Sequence, residues 1–198
     1  MISFRLSDFE DALTKNKSLA LSVMFYICGL LGGSLCYKAV FKSDASYLKN
    51  LFTAGESGFI SVLTARLCLY LAVFIISFLI SFSILGFLFI NVIPLICGFG
   101  TALKISYYYS LSALGIGYSI LITVPETSLF ITLLVFLLNK FSAFSKSVFD
   151  TYVKKSDIMT GDNRSSYLKT VFIFLILIVL SAVINSAITY FVNPLIQI

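Results

Sequence analysis

The chain has no histidine and no tryptophan, and only 12% of its 198 residues are charged. Without His the commonest general base and metal ligand is missing, which argues against imidazole-based hydrolysis and zinc chemistry. Proline is scarce as well, at Pro94, Pro125 and Pro194 alone, so each is a place where a helix must bend, start or stop. Charge is missing most of all between Leu67 and Asn139, where Lys104 and Glu126 are the only charged side chains in 73 residues. A water-facing surface carries far more charge than that. As a helix rising ~1.5 Å per residue the block is about 110 Å long, against a hydrocarbon core ~30 Å thick. It therefore crosses a membrane several times.

What is present agrees. The chain is 59% hydrophobic and its mean hydropathy is +1.02, so the expected fold is all-α, a polytopic membrane helical bundle. The net charge of +5 has a simple source, because basic residues gather in loops held on the cytoplasmic side. With no basic-aromatic module, nucleic acid is not an expected partner; the lipid bilayer is. Cys28, Cys36, Cys68 and Cys97 all lie in apolar segments without CxxC spacing, which reads as thiols in lipid or helix packing. No metal site and no cofactor is expected.

Along the chain, residues 1–17 carry Asp8, Glu10 and Asp11 and no cleavage site, so they read as a cytoplasmic segment and not as a signal peptide. Phe4, Leu6, Phe9 and Leu13 either line a short interfacial helix or belong to a solvated tail. Residues 18–198 form one transmembrane domain. Its first span, about Ser18 to Tyr37, holds Gly29 and Gly33, a GxxxG pair that opens a groove for another helix backbone, in this chain or a partner. The polar stretch 38–66 reads as an external segment with an interrupted interfacial helix, and as a docking surface. The second span starts near Leu67 and runs to about Leu88. Beyond it, Asn91, Pro94, Gly98 and Gly100 predict a broken helix. Tyr107, Tyr108 and Tyr109 belong either at a headgroup level or inside the bundle. Thr127 to Asn139 is short for a span unless the helix runs on through Phe144. The stretch 140–169, with six basic and three acidic residues, reads as a cytoplasmic loop that turns at Gly161-Asp162-Asn163. The last span is about Thr170 to Val192.

For 38–66 to lie outside and 140–169 inside, the middle block must cross an odd number of times. Three crossings use ~20 to 24 residues each, and the remainder is broken or re-entrant backbone near Pro94 and Pro125. The expectation is five spans in the cell membrane, N-terminus cytoplasmic and C-terminus extracytoplasmic. A six-span arrangement would put the most basic loop outside.

Lys104 and Glu126 have two readings. Ionisable groups inside a bilayer usually face a bundle interior and pair, which makes them a buried ion pair beside a pathway, with Asn91 or Asn139 near. Both also sit at predicted segment boundaries, which favours the other reading, snorkelling at the interfaces. Gly98 and Gly100 read as packing or hinge glycines, not as part of a phosphate loop. Ser77 with Ser81, and Ala182 with Ser186, repeat small-xxx-small spacing, which points to tight packing and leaves room for an oligomer. There is no nucleophile–base set and no carboxylate dyad, so the chain is not expected to be an enzyme.

Three stretches resemble the stage II sporulation protein M family: Gly86 to Gly100 around Asn91 and Pro94, Val124-Pro125-Glu126 through Phe144, and Ser181 to Ile196 through Asn193-Pro194. Pro125 matches the first proline of the family's middle motif; Thr132 stands where a second proline is usual, and Glu126 follows Pro125 directly. The resemblance implies a non-enzymatic scaffold anchoring two extracytoplasmic peptidoglycan-degrading partners, of transglycosylase and amidase type, for septal wall thinning and engulfment during sporulation. Two alternatives stand beside it. One is a transporter or channel component with Lys104 and Glu126 near the pathway. The other is the membrane subunit of an exporter whose separate ATPase docks on 140–169.

Overall fold

A computed structural model describes residues 17–41, 58–111, 113–153 and 161–192. The expectations for residues 1–16, for most of the polar stretch 38–66 and for the segment around Pro194 lie outside the described residues. Within them, 95% of residues are helical and none is in a strand. The elements are α1 (Lys17–Cys36, continued by a π-helical turn Tyr37–Phe41), α2 (Phe59–Ser81), α3 (Gly86–Phe89), α4 (Val92–Leu111), α5 (Ala113–Tyr118, followed by a π-helical turn Ser119–Thr123), α6 (Val124–Val153) and α7 (Gly161–Val192). Five stretches among these are long and apolar enough to cross a membrane: Lys17–Val40, Phe59–Ser81, Gly86–Leu111, Gly115–Val153 and Tyr167–Phe191. The protein is a multi-pass membrane protein of all-α fold.

Water cannot drive these helices together inside lipid, because the surrounding chains are as apolar as leucine. Close packing and internal polar ties have to do it, and the bundle shows two kinds of seam. The first joins α1 to α4 in parallel through glycine. A Cβ on Gly29 would collide with the Leu95 carbonyl, one on Gly33 with the Phe99 carbonyl, and one on Gly98 with the Tyr26 carbonyl. The GxxxG groove is thus filled from within the chain. Ser22 Oγ donates to Asn91 Oδ1 at 2.8 Å at one end of this seam, and the Tyr37 and Ser110 hydroxyls meet at 2.5 Å at the other. The second seam joins α2, α6 and α7 through aromatic rings. Tyr70 stacks on Phe130 and Phe144 on Tyr167, each with centroids 3.9 Å apart, and Phe74 and Phe78 lean on Phe141. Such pairs contribute ~0.5–1.5 kcal/mol each beyond their area. Ser77, Ser81, Ala182 and Ser186 are all fully buried in α2 and α7.

Pro94 and Pro125 interrupt regular helix in different ways. The chain turns at Phe82–Leu85 and again at Ile90–Asn91, so the break precedes Pro94, which sits in the first turn of α4. Proline is at home there because that turn's N–H groups have no helical acceptor. Pro125 lacks the N–H that the Leu121 carbonyl would accept. The helix widens just before it into the π turn Ser119–Thr123 and continues. Near Pro125 the backbone is helical throughout.

Four boundaries move. The second span runs from Phe59 to Ser81, not from near Leu67 to about Leu88, because the chain turns at Phe82–Leu85 and the last part of 38–66 joins an apolar helix long enough to cross a membrane. The stretch 140–169 is mostly helix: α6 runs on to Val153 and α7 starts at Gly161, which takes Gly161-Asp162-Asn163 into its first turn. The reason is periodicity, since Phe141, Ser145 and Val148 stay buried at helical spacing while Lys140 and Lys146 point out. Ser145 Oγ also donates to the Ser83 carbonyl at 2.8 Å, holding the extension against the α2–α3 turn.

Candidate functional site

Arg66 on α2, Lys104 on α4 and Glu126 on α6 come together inside the bundle. Glu126 Oε2 accepts from Arg66 Nη2 and from Lys104 Nζ, both at 3.0 Å. The Arg66 and Glu126 side chains are 10% and 11% exposed, and Lys104 is 20% exposed. A fourth helix completes the cluster. Arg66 Nη2 donates to Thr189 Oγ1 at 2.6 Å and Nη1 to the Asn185 carbonyl. Asn185 Nδ2 lies 3.2 Å from Tyr70 Oη and 3.3 Å from the Glu126 carbonyl. Asn185 Oδ1 is buried and has no hydrogen-bond partner among the described residues.

Local sequence explains the placement. Arg66 and Tyr70 are four residues apart on α2, as are Asn185 and Thr189 on α7, so each pair shares a helix face. The π turn before Val124 adds a residue to the helix, which rotates the downstream faces by about 100°, and it stands three residues ahead of Glu126. Arg66 lies seven residues from the start of α2, Lys104 seven from the end of α4 and Asn185 seven from the end of α7. All three helix ends belong to one face of the bundle, so the cluster sits about 10 Å in from that face.

The buried-pair reading of Lys104 and Glu126 therefore replaces snorkelling at two interfaces: they meet each other across 22 residues of chain. Asn91 and Asn139 are not part of the cluster. Each is thirteen residues from its charged neighbour, Asn91 from Lys104 and Asn139 from Glu126, or about 20 Å of helix. Asn91 ties α1 to the start of α4, and Asn139 is half-buried farther along α6. Gly29, Gly33 and Gly98 are close-packing glycines, but Gly100 is not, for a Cβ there would meet nothing within 4 Å. Of the tyrosine triplet, Tyr107 and Tyr108 face the bundle interior and Tyr109 is exposed.

Sequence alone does not single out Arg66, Tyr70, Asn185 or Thr189. A signal for Arg66 is present: the apolar run begins at Phe59 and contains one lone cation. Glu126, the one acid of the following block, is its natural counter-ion.

Beside the cluster, between α2 and α4 and floored by α6, lies a cavity of about 590 Å³. Arg66, Lys104 and Glu126 line one end, and Val73, Ile96, Phe130 and Ile131 line the rest. Two cations against one carboxylate leave this wall with an excess of one positive charge. Among the described residues no three of His, Cys, Asp and Glu stand close enough to hold a metal ion. The fold and the site define a multi-pass helical bundle held by a charge cluster that spans four helices. No family model, curated protein or solved structure matches the chain.

Proposed function

We propose that this protein is a non-enzymatic integral-membrane scaffold of the stage II sporulation protein M type. In this reading it anchors wall-degrading partners, one of transglycosylase and one of amidase type, on the extracytoplasmic side for septal thinning and engulfment. The observation that supports it best is the charge cluster: Arg66, Lys104 and Glu126 tie three helices, and Asn185 and Thr189 bring in a fourth. A clasp of this kind fixes a platform, because a buried charge that loses its partner is costly. The polar stretch between α1 and α2 is the natural contact surface, and basic Lys17, Lys140, Lys146 and Lys169 at the opposite face favour the cytoplasm there.

Affinity capture of the full chain from its native membranes in mild detergent tests the reading. Co-purification of both peptidoglycan hydrolases is the expected result. Capture of an ATPase in their place would support the exporter alternative and remove the scaffold. The cavity beside Lys104 and Glu126 favours a second reading, a transport component. For that, solute flux through the purified chain alone in liposomes is the deciding measurement.

A further inference from the structure

The cavity has a polarity that the scaffold reading leaves unused. At its charged end stand Arg66, Lys104 and Glu126, with Glu126 Oε2 shared between the two cations. Lys104 has three ammonium donors and directs one of them to Glu126. Toward the middle of the bundle the lining becomes apolar at Val73, Cys97, Phe130 and Ile131. The rim is formed in part by Leu69 and Ile96, which are 60% and 62% exposed. Large apolar side chains left bare on a membrane-spanning bundle face lipid, so the cavity opens sideways into the bilayer.

We infer that this cavity is a binding site for an anionic phospholipid, its phosphate against Lys104 and Arg66 and the start of one acyl chain in the cleft between α2 and α4. The volume suits the ligand's head end, since small-molecule sites span ~300–1,000 Å³. Charge suits it too: an anion drawn about 10 Å below the helix ends needs a fixed counter-charge, and the cluster holds one positive charge in excess. The direction agrees as well. The charged end is nearer the face bearing Phe59, Leu111 and Val192, and the apolar end points inward, as a lipid of that leaflet does. A zwitterionic lipid would bring its own cation against Lys104, and a soluble anion would gain nothing from the apolar walls.

Gly100 supplies the test. It lines the cavity, and a Cβ there meets nothing within 4 Å, so Gly100→Leu adds bulk to the cavity while leaving the helix seams alone. The full chain, purified in mild detergent, is titrated with short-chain phosphatidylglycerol, with phosphatidylcholine of equal chain length, and with inorganic phosphate. Bound lipid is counted by native mass spectrometry and stability is read from thermal unfolding. Phosphatidylglycerol is expected to bind at least about tenfold more tightly than phosphatidylcholine, and G100L to abolish that preference without lowering the unfolding temperature. Ile96→Trp, at the exposed rim, should weaken binding in the same way and stands in if G100L does not fold. Equal binding of the two lipids overturns the inference, as does phosphatidylglycerol binding that neither variant changes. Protection by inorganic phosphate alone, matching that by the lipid, would assign the site to a soluble anion instead. None of these outcomes depends on which proteins the chain anchors.

Discussion

Glu126 is the acceptor that buried Arg66 and half-buried Lys104 share, and the three charges are unequal for that reason. Replacing it with Gln leaves buried Arg66 without its carboxylate and beside the Lys104 ammonium. Breaking a buried pair in this way costs ~3–5 kcal/mol. Replacing Lys104 with Met removes a cation instead and leaves Arg66–Glu126 as a neutral pair, with Thr189 and Asn185 still bonded to Arg66. Thermal unfolding of the two variants in the same detergent should therefore place E126Q far below K104M. Equal losses, or a larger loss in K104M, would mean that Glu126 is not the hub. Two members of this site are legible in the sequence, since Lys104 and Glu126 stand out as lone charges in an apolar block. Arg66 is harder to see because it sits where a polar segment passes into a span, and the span begins seven residues before it. Asn185 and Thr189 hide for another reason: uncharged polar groups in a spanning helix are common, and nothing local distinguishes one that faces a carboxylate from one that bonds its own backbone.

At the scale of the helix, the glycines of α1 are not equivalent. A Cβ on Gly33 would press on the Phe99 backbone and come within 2.8 Å of Ala102 Cβ, whereas one on Gly32 meets only a Phe99 ring carbon at 3.9 Å. Gly33→Ala should destabilise the bundle by ~1–3 kcal/mol, the usual cost of forcing atoms into a packed seam. Gly32→Ala should be neutral or raise stability by up to ~1 kcal/mol, because alanine loses less backbone freedom in a helix. A denaturant titration of the two single variants decides between them, and similar losses would show that the α1–α4 seam is looser than these contacts require. The spacing of Gly29 and Gly33 announces a close helix contact but leaves the partner open, because small residues describe a groove and not what fills it. Pro94 and Pro125 show the complementary limit. Each marks an interruption, yet proline alone does not say whether a helix starts afresh, as at α4, or widens by one residue and goes on, as before α6. The outcome depends on which neighbouring elements take up the freed carbonyls and side chains.

For the whole molecule, the arithmetic of charge and length in the sequence reaches the observed number of apolar spanning helices, because crossing a bilayer needs a fixed amount of apolar helix. It misplaces the ends, since α6 keeps its helical face beyond the apolar stretch. Three stretches long and apolar enough to cross a membrane, containing α2, α4 and α6, lie between Gly58 and Val153, so this topology predicts the two positions on opposite sides. Single cysteines at each can be tested with a membrane-impermeant maleimide on intact cells. Gly58 is open around its Cβ position and extended in backbone, with φ −177°, so any residue is accepted there. Val153 is exposed at the end of α6. Cys28, Cys36, Cys68 and Cys97 all lie within the spanning helices, out of reach of a reagent that stays in water, so the background is low. Gly58→Cys should label from outside, and Val153→Cys only after permeabilisation, because Lys140 and Lys146 near the end of α6 favour the cytoplasmic side. The reverse pattern would keep the fold and invert its orientation, moving the polar stretch between α1 and α2 away from the cell wall and the scaffold reading with it. Labelling of both positions from one side would break the three-crossing topology itself, and with it the meeting of Arg66, Lys104 and Glu126 at a single depth.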